Sequence, residues 1–394
     1  MDEAETSART LPRHHGLDWL RIAAFGLLIF YHIGMFFVPW DWHVKTAEPI
    51  DWVALPMLAT NAWRLMLLFV VSGYASRAIL MRGSSSAAFA RERSARLALP
   101  TIFAAAIIIP PQLWVELVEK HGYARDYLTF WTGDYFRFGV LDGLVLPTWQ
   151  HLWFVVYLWA YTMLLAALPA IARAQPLFDR ALRGWGLIVL PIAWLLLVRL
   201  LLVRGIGESH NFFTDATAHL LYLPAFLFGF ALARSNATWA TIRRLWPIAA
   251  ALSVIAYATV AAFELRWPGD AVPPDPWIDV LRTARIVQGW CAIVALLGVA
   301  DRWWNHDHKW RATLTEAVFP FYIIHQTTIV VVGWAIREQA LGPVAEFLIL
   351  VAATLASCLI FYFGGREIGW LRPWIGLRPR VARQQVPARA VAGE

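Results

Sequence analysis

Ten runs of about twenty mostly apolar residues, spread along almost the whole chain, decide what this sequence can fold into. They fall near 18–38, 62–81, 97–115, 151–171, 186–204, 218–234, 245–263, 283–300, 316–333 and 344–364. A hydrocarbon core about 30 Å thick takes roughly 20 residues of helix at about 1.5 Å per residue, the length of each run. With no water in that layer, backbone N–H and C=O groups must pair within the segment, so the runs are expected to be helices. The expected fold class is therefore all-α, a polytopic membrane protein of about ten transmembrane helices. Composition agrees, with 59% hydrophobic and only 15% charged residues and a mean hydropathy of +0.53. That balance excludes an ordinary soluble enzyme.

Charge orients the bundle. With the N-terminus in the cytoplasm, 23 of the 34 Lys and Arg fall inside: up to Arg21, from Arg77 to Arg96, around Arg173, Arg234 and Arg302, and from Arg366 onward. This is the positive-inside pattern, and an even helix count then places both termini in the cytoplasm. The net charge of +7 is thereby explained by topology, and no nucleic-acid partner is read into it. Residues 1–16 read as a cytoplasmic tail, 17–372 as the transmembrane domain, and 373–394 as a basic, disordered cytoplasmic tail. Arg9 and Arg13 precede the first helix as they would in a secretory signal, but no small-residue cleavage site follows, so that helix is expected to stay. Cys291 and Cys358 both lie within predicted helices and imply neither a disulfide framework nor a metal site. The longest external segment, about 112–150, is expected to be functional or disordered by its length.

Ionisable groups inside the apolar runs carry the chemistry. In "RIAAFGLLIFYH", residues 21–32, His32 lies roughly 16 Å along the helix from Arg21, near mid-membrane, and Asp18, Arg21 and His32 share one helix face. Of the 11 histidines only His32 and His325 fall well inside a predicted helix; His325 sits in "FPFYIIHQTT", where Tyr322, His325 and Thr328 share a face. Such a group is costly in lipid and faces either a cavity or a partner. The residues alone allow two readings for each histidine, a neutral imidazole hydrogen-bonded between helices or a general base in a water-accessible cavity. Arg21 and Asp18 equally fit a helix-start ion pair.

Arg91, Arg93 and Arg96 gather in "FARERSARLALP". Clustered guanidinium groups suit phosphate, and they also simply satisfy the positive-inside rule. His151 and His219 begin helices at the external surface. Trp40, Trp42, Trp52, Trp63, Trp149 and Trp153 crowd the same interface, as an aromatic belt or as platforms for sugar rings. Ser72 in "VVSGY" reads as a packing residue before a nucleophile, and "NHDH" at 305–308 is a weak metal candidate.

Taken together, several blocks resemble a known family. Arg21 and His32 ten residues apart, "LLFVVSGY" at 67–74, "RSARLALP" at 93–100, "HLWFVVYL" at 151–158 and "FPFYIIHQ" at 319–326 resemble, in order, the motif blocks of the acyltransferase 3 family of integral-membrane O-acyltransferases. "WHVKTAEP" at 42–49 and "LYLPAFLFGF" at 221–230 are similar to the branch that succinylates osmoregulated periplasmic glucans. The first helix, "LDWLRIAAF", lacks the glycine that commonly follows the arginine in the wider family.

The resemblance implies a multi-pass enzyme of the bacterial inner membrane. It would use a cytoplasmic acyl-CoA donor, succinyl-CoA or acetyl-CoA, no metal, and an extracytoplasmic sugar hydroxyl as acceptor. Arg21 and His32 correspond to the family's essential pair and Arg93 with Arg96 to its Arg-x-x-Arg motif. The candidate site then comprises His32, Arg21, His325 and Asp18 for catalysis, Arg91, Arg93, Arg96 and Arg21 for the CoA phosphates, and His151, Trp42, Trp153 and Tyr322 for the acceptor. Tyr322, Gln326 and His325 are candidates for oxyanion donor. A succinyl carboxylate would want a further cation, and Arg64 or Arg199 would serve, although each also fits snorkelling. Two alternatives stand beside this reading: acylation of another envelope sugar, and a non-enzymatic glycan exporter.

Overall fold

The computed structural model describes residues 13–379 apart from 84 and 270. Each of the ten predicted windows holds a helix. α1 (His15–Phe37) is followed by the short α2 (Ala54–Asn61), α3 (Arg64–Leu80), α4 (Ser86–Phe103), α5 (Pro110–His121) and α6 (Trp153–Ala167). Then come α7 (Gln175–Ala181), α8 (Gly186–Leu196), α9 (Ala216–Leu232), α10 (Asn236–Arg266), α11 (Asp275–Trp303), α12 (Arg311–Ile336) and α13 (Pro343–Glu367).

Among the described residues, seven helical stretches are individually long and apolar enough to cross a membrane, and nine are if each of two bent pairs is one span. The shortfall from ten lies at α9, which has only 17 residues. Its start is fixed by Asp215, whose carboxylate accepts from the Ala218 N–H at 2.8 Å and the His210 N–H at 2.7 Å, an N-cap that the hydrophobic window does not register. One bent pair has a physical cause in sequence. α4 runs through a π-helical turn, Ala104–Ile108, into α5, and the axes differ by 43° where Pro110 cannot donate a backbone hydrogen bond. α7 and α8 meet at 112° across residues 182–185, where Gly184 takes a positive φ of 58°.

α3 and α9 cross with their backbones almost touching. A Cβ on Gly73 would collide with the Phe226 carbonyl, and one on Gly229 with the Val70 carbonyl. The small residues of "VVSGY" and "FLFGF" therefore make the crossing, as the packing reading of that motif expects. The core that surrounds it is rich in aromatic rings: Phe69 stacks on Tyr222 at 4.9 Å and lies against Phe154 at 4.6 Å.

The long segment expected to be external is folded. After α5 the chain makes short helical turns and then a β-hairpin, β1 (Gly139–Leu141) against β2 (Leu144–Leu146), turned by Asp142 and Gly143 at φ of 46° and 85°. Asp-Gly is the sequence signal for such a two-residue turn, and both positions need positive φ. The chain beyond α13 also stays packed further than the expected boundary at 373. Ile375 and Leu377 are buried beside Ala317 and Tyr362, and Arg372 donates to the carbonyls of Arg366 and Arg378. Residues 380–394 of the predicted tail, and 1–12 of the N-terminal one, lie outside the described residues.

Candidate active site

The two histidines that the sequence places inside helices meet. His32 Nδ1 of α1 lies 2.8 Å from His325 Nε2 of α12, their rings nearly parallel at an interplanar angle of 5°. The bond directions follow from what each partner can do. His325 Nδ1 is 2.8 Å from the Tyr322 carbonyl oxygen, which only accepts, so this nitrogen carries the proton. In the neutral ring Nε2 is then the acceptor, and His32 Nδ1 must donate to it. The remaining nitrogen of His32, Nε2, is left with a free lone pair.

His32 lines a cavity of about 880 Å³ on the side of the bundle where α1 ends. The same cavity is lined by Trp42, His43, His151, Trp153, Tyr322 and Gln326, and by Gly143, Leu144 and Val145 of the β-hairpin. Trp42 stands 6.4 Å from the His32 ring at 24°, and Trp153 stacks on His210 at 4.1 Å. His151 is buried, with Nε2 donating to the Tyr322 and Ile323 carbonyls at 3.1 and 3.2 Å. The Tyr322 hydroxyl donates to the His151 carbonyl. That hydroxyl is already committed as a donor, so Tyr322 contributes its ring to the wall, not an O–H to an oxyanion.

Gln326 belongs to a second chain that the sequence does not reveal. It donates to Gln112 Oε1 and lies 3.1 Å from His43 Nε2, while His43 Nδ1 is 2.6 Å from Glu116 and Gln112 donates to Thr327 at 2.5 Å. His43 and Glu116 are 73 positions apart, and only the packing of the loop after α1 against α5 joins them. Glu208, also missed, sits in the loop before α9. Burial alone would raise its pKa, but the neighbouring His210, the hydrogen bond from the Tyr222 hydroxyl and the charge of Arg199 more than offset this and hold it below the usual carboxylate range.

Charged groups define the rest. Arg64, Arg199, Arg282 and Arg285 line the cavity, and Arg199 lies on a π-helical turn, Leu197–Leu202, that extends α8. Arg285 had a legible signal, an ionisable residue inside the 283–300 window. At the opposite end of α1, Arg21, Arg93 and Arg96 lie close enough for their charges to repel. None of the three forms an ion pair among the described residues, and Nε of both Arg21 and Arg93 is buried without a hydrogen-bond partner. Arg91 is exposed at the edge of this group.

Asp18 needs a correction. It is neither paired with Arg21 nor near the histidines. Its carboxylate accepts from Arg311 Nη1 at 2.7 Å and from Arg13 at 2.8 Å, about 21 Å along α1 from His32. Arg311 is 5% exposed and needs a counter-charge, which explains the preference. Asp307 of "NHDH" is the second partner of Arg311, at 2.7 Å, and that bond pulls its pKa down to about 2.

The comparisons agree with this architecture. The acyltransferase 3 family, described as an acyltransferase domain, matches residues 14–363. Curated relatives include the glucans biosynthesis protein C of Shigella boydii serotype 4 (strain Sb227) and that of Escherichia coli O139:H28, each 24% identical over 405 residues. The alignments cover 96% of this chain and 98% of the relative. The protein of the same name from Escherichia coli O157:H7 is 24% identical over 398 residues with the same coverage. No solved structure matches. With a family match that runs from the start of α1 to near the end of α13, this membrane-embedded helical chain belongs to the acyltransferase 3 family.

Proposed function

We propose that the protein is a transmembrane O-acyltransferase of the bacterial inner membrane that moves an acyl group, succinyl by preference, from cytoplasmic acyl-CoA to hydroxyls of periplasmic glucans. The observation that carries this reading is the free lone pair of His32 Nε2 in a polar cavity, fixed by the hydrogen bond from His32 Nδ1 to His325.

On this reading both termini are cytoplasmic and the 880 Å³ cavity opens to the periplasm. The acceptor hydroxyl enters past the β-hairpin and gives its proton to His32 Nε2 as its oxygen attacks the thioester carbonyl. The tetrahedral adduct then expels the CoA thiolate, which takes the same proton from His32. His325 Nε2 accepts from His32 Nδ1 throughout, so the ring stays aimed as it becomes an imidazolium, in the way a third group orients the base in other acyl-transfer sites. Arg21, Arg93 and Arg96, unpaired at the cytoplasmic end, hold the CoA phosphates, with Arg91 at the rim. From there the pantetheine arm spans on the order of half the hydrocarbon core to reach His32. Trp42 offers a face to a sugar ring, while Trp153 is buried in the wall with His210 stacked on it.

The test is mass spectrometry of the periplasmic glucan fraction from a deletion strain, with and without the gene restored. Acyl-substituted glucans should vanish on deletion and return on complementation, and the mass increment names the acyl group. Unchanged glucans would overturn the acceptor assignment. Binding of CoA by the purified protein separates an acyltransferase from an exporter, which should show none.

A further inference from the structure

The four arginines of the cavity are not equivalent. Arg199 is paired with Glu208 at 2.5 Å and Arg282 with Asp279 at 3.0 Å. Arg64 and Arg285 have no carboxylate within 4 Å among the described residues. Arg64 is only 2% exposed, lies face-on over the Tyr31 ring at 3.7 Å, and reaches Thr60 Oγ1 at 3.4 Å; its Nε has no partner. The nearest acids to Arg285 are already engaged. Glu208 is held by Arg199 and Tyr222, and Glu264 accepts from the Gly269 N–H. Both guanidinium groups lie within electrostatic reach of the Tyr31 side chain. Two uncompensated cations inside a membrane bundle are costly, and facing a cavity they are matched to an anion that arrives with a reactant.

We propose that Arg64 and Arg285 form the subsite for the free carboxylate of a dicarboxylic acyl group and so select a succinyl-type donor over an uncharged one. This rests on the acyltransferase reading above. The reach fits: the Tyr31 ring is 3.7 Å from Arg64 and 6.0 Å from the ring of His32, so the guanidinium is within about 10 Å of the base, the sum of the two. A thioester carbonyl beside His32 places the far carboxyl carbon of a four-carbon diacid about 4 Å further on. There the planar, multi-donor fork of a guanidinium accepts it. Arg199, the other cation singled out from sequence, is spoken for by Glu208 and does not take this part.

The experiment compares succinyl-CoA with butyryl-CoA, which has a methyl group where succinyl has its carboxylate, using the purified full-length protein and a glucan acceptor. Losing one charge-assisted hydrogen bond is worth about 10- to 100-fold, so Arg64→Gln and Arg285→Gln should each lower the succinyl-to-butyryl ratio of kcat/KM by at least tenfold. The loss should appear mainly in KM for succinyl-CoA, and Arg64→Lys should restore part of it. Equal losses with both donors, or an unchanged ratio, would overturn the subsite. If the wild-type protein transfers no acyl group from either donor, the enzymatic reading fails, and the subsite is then judged by binding alone. Succinate should raise the thermal midpoint of the wild type and not of the Gln variants, and no shift would overturn it. A shift with glycerol phosphate but not with succinate would also overturn it, assigning the two arginines to a phosphate-bearing reactant.

Discussion

Replacing His325 tests the dyad more directly than replacing the base itself. His325 is fully buried, and its Nε2 is the acceptor for His32 Nδ1 at 2.8 Å. His325→Ala removes that acceptor and leaves a buried N–H unsatisfied, at a cost of about 1–3 kcal/mol. The ring relieves this by moving its proton to the other nitrogen or by rotating, and either change removes the lone pair from the cavity. At about 1.4 kcal/mol per factor of ten, transfer should slow by roughly 10- to 100-fold in kcat, with KM for the donor little changed because the arginine cluster is untouched. His325→Gln places a carbonyl oxygen near the lost nitrogen and should recover at least tenfold over His325→Ala. The assay is transfer of radiolabelled acyl from acyl-CoA to glucan in proteoliposomes, with size-exclusion profiles to establish that each variant is folded. His325→Ala within threefold of wild type, or a Gln variant no better than Ala, would refute the orienting role.

Four further outcomes follow from the same structure. His32→Ala should abolish acyl transfer while the protein remains folded and inserted, and near-wild-type turnover would remove His32 from the chemistry. Arg93→Ala and Arg96→Ala should raise KM for acyl-CoA several-fold, whereas unchanged donor dependence would reduce the pair to topology signals. Gly229→Val should cost about 3 kcal/mol, seen as a lower thermal midpoint in detergent, because its Cβ meets the Val70 backbone and not a movable side chain. In direct transfer, incubation with radiolabelled acyl-CoA and no acceptor should leave the protein unlabelled, and a labelled histidine or serine would establish a covalent relay instead.

What could be read in the sequence followed from local rules. Apolar runs of membrane length marked the longer helices but not the short α2 and α7, and a polar residue in such a run marked His32 and His325 because lipid makes it costly wherever its partner lies. Nothing local pairs those two. They are 293 positions apart, and their hydrogen bond exists only because α1 packs against α12. The same limit hid the His43–Glu116 contact and misplaced Asp18, whose i+3 neighbour Arg21 was the obvious local partner until Arg311 arrived from 293 positions away. The window at 218–234 is displaced by two residues from α9, which begins at Ala216 because the carboxylate of Asp215 caps it, a signal that any apolarity scale scores as an interruption.

The distribution of unpaired charge makes the strongest case that the site works from two sides. Two arginines elsewhere have acquired partners: the buried Arg311 holds two carboxylates and the half-buried Arg199 holds Glu208. Among the described residues Arg77, near the end of α3, is buried with only the Phe230 ring against it, and the other buried or half-buried arginines without a carboxylate include two groups, Arg21 with Arg93 and Arg96 near the start of α1, and Arg64 with Arg285 around the cavity. Between them, on the helix that joins the two ends, stands His32. A passive glycan path has no use for uncompensated cations at separate depths with a base between them. A donor with phosphates at one end and a carboxylate at the other does. The proposed arrangement therefore makes a joint demand: Arg93→Ala should weaken donors of every acyl type equally, while Arg64→Gln should weaken only those whose acyl group carries a free carboxylate. If both variants shifted KM in the same proportion for succinyl-CoA and butyryl-CoA, the two clusters would not be reading opposite ends of one molecule.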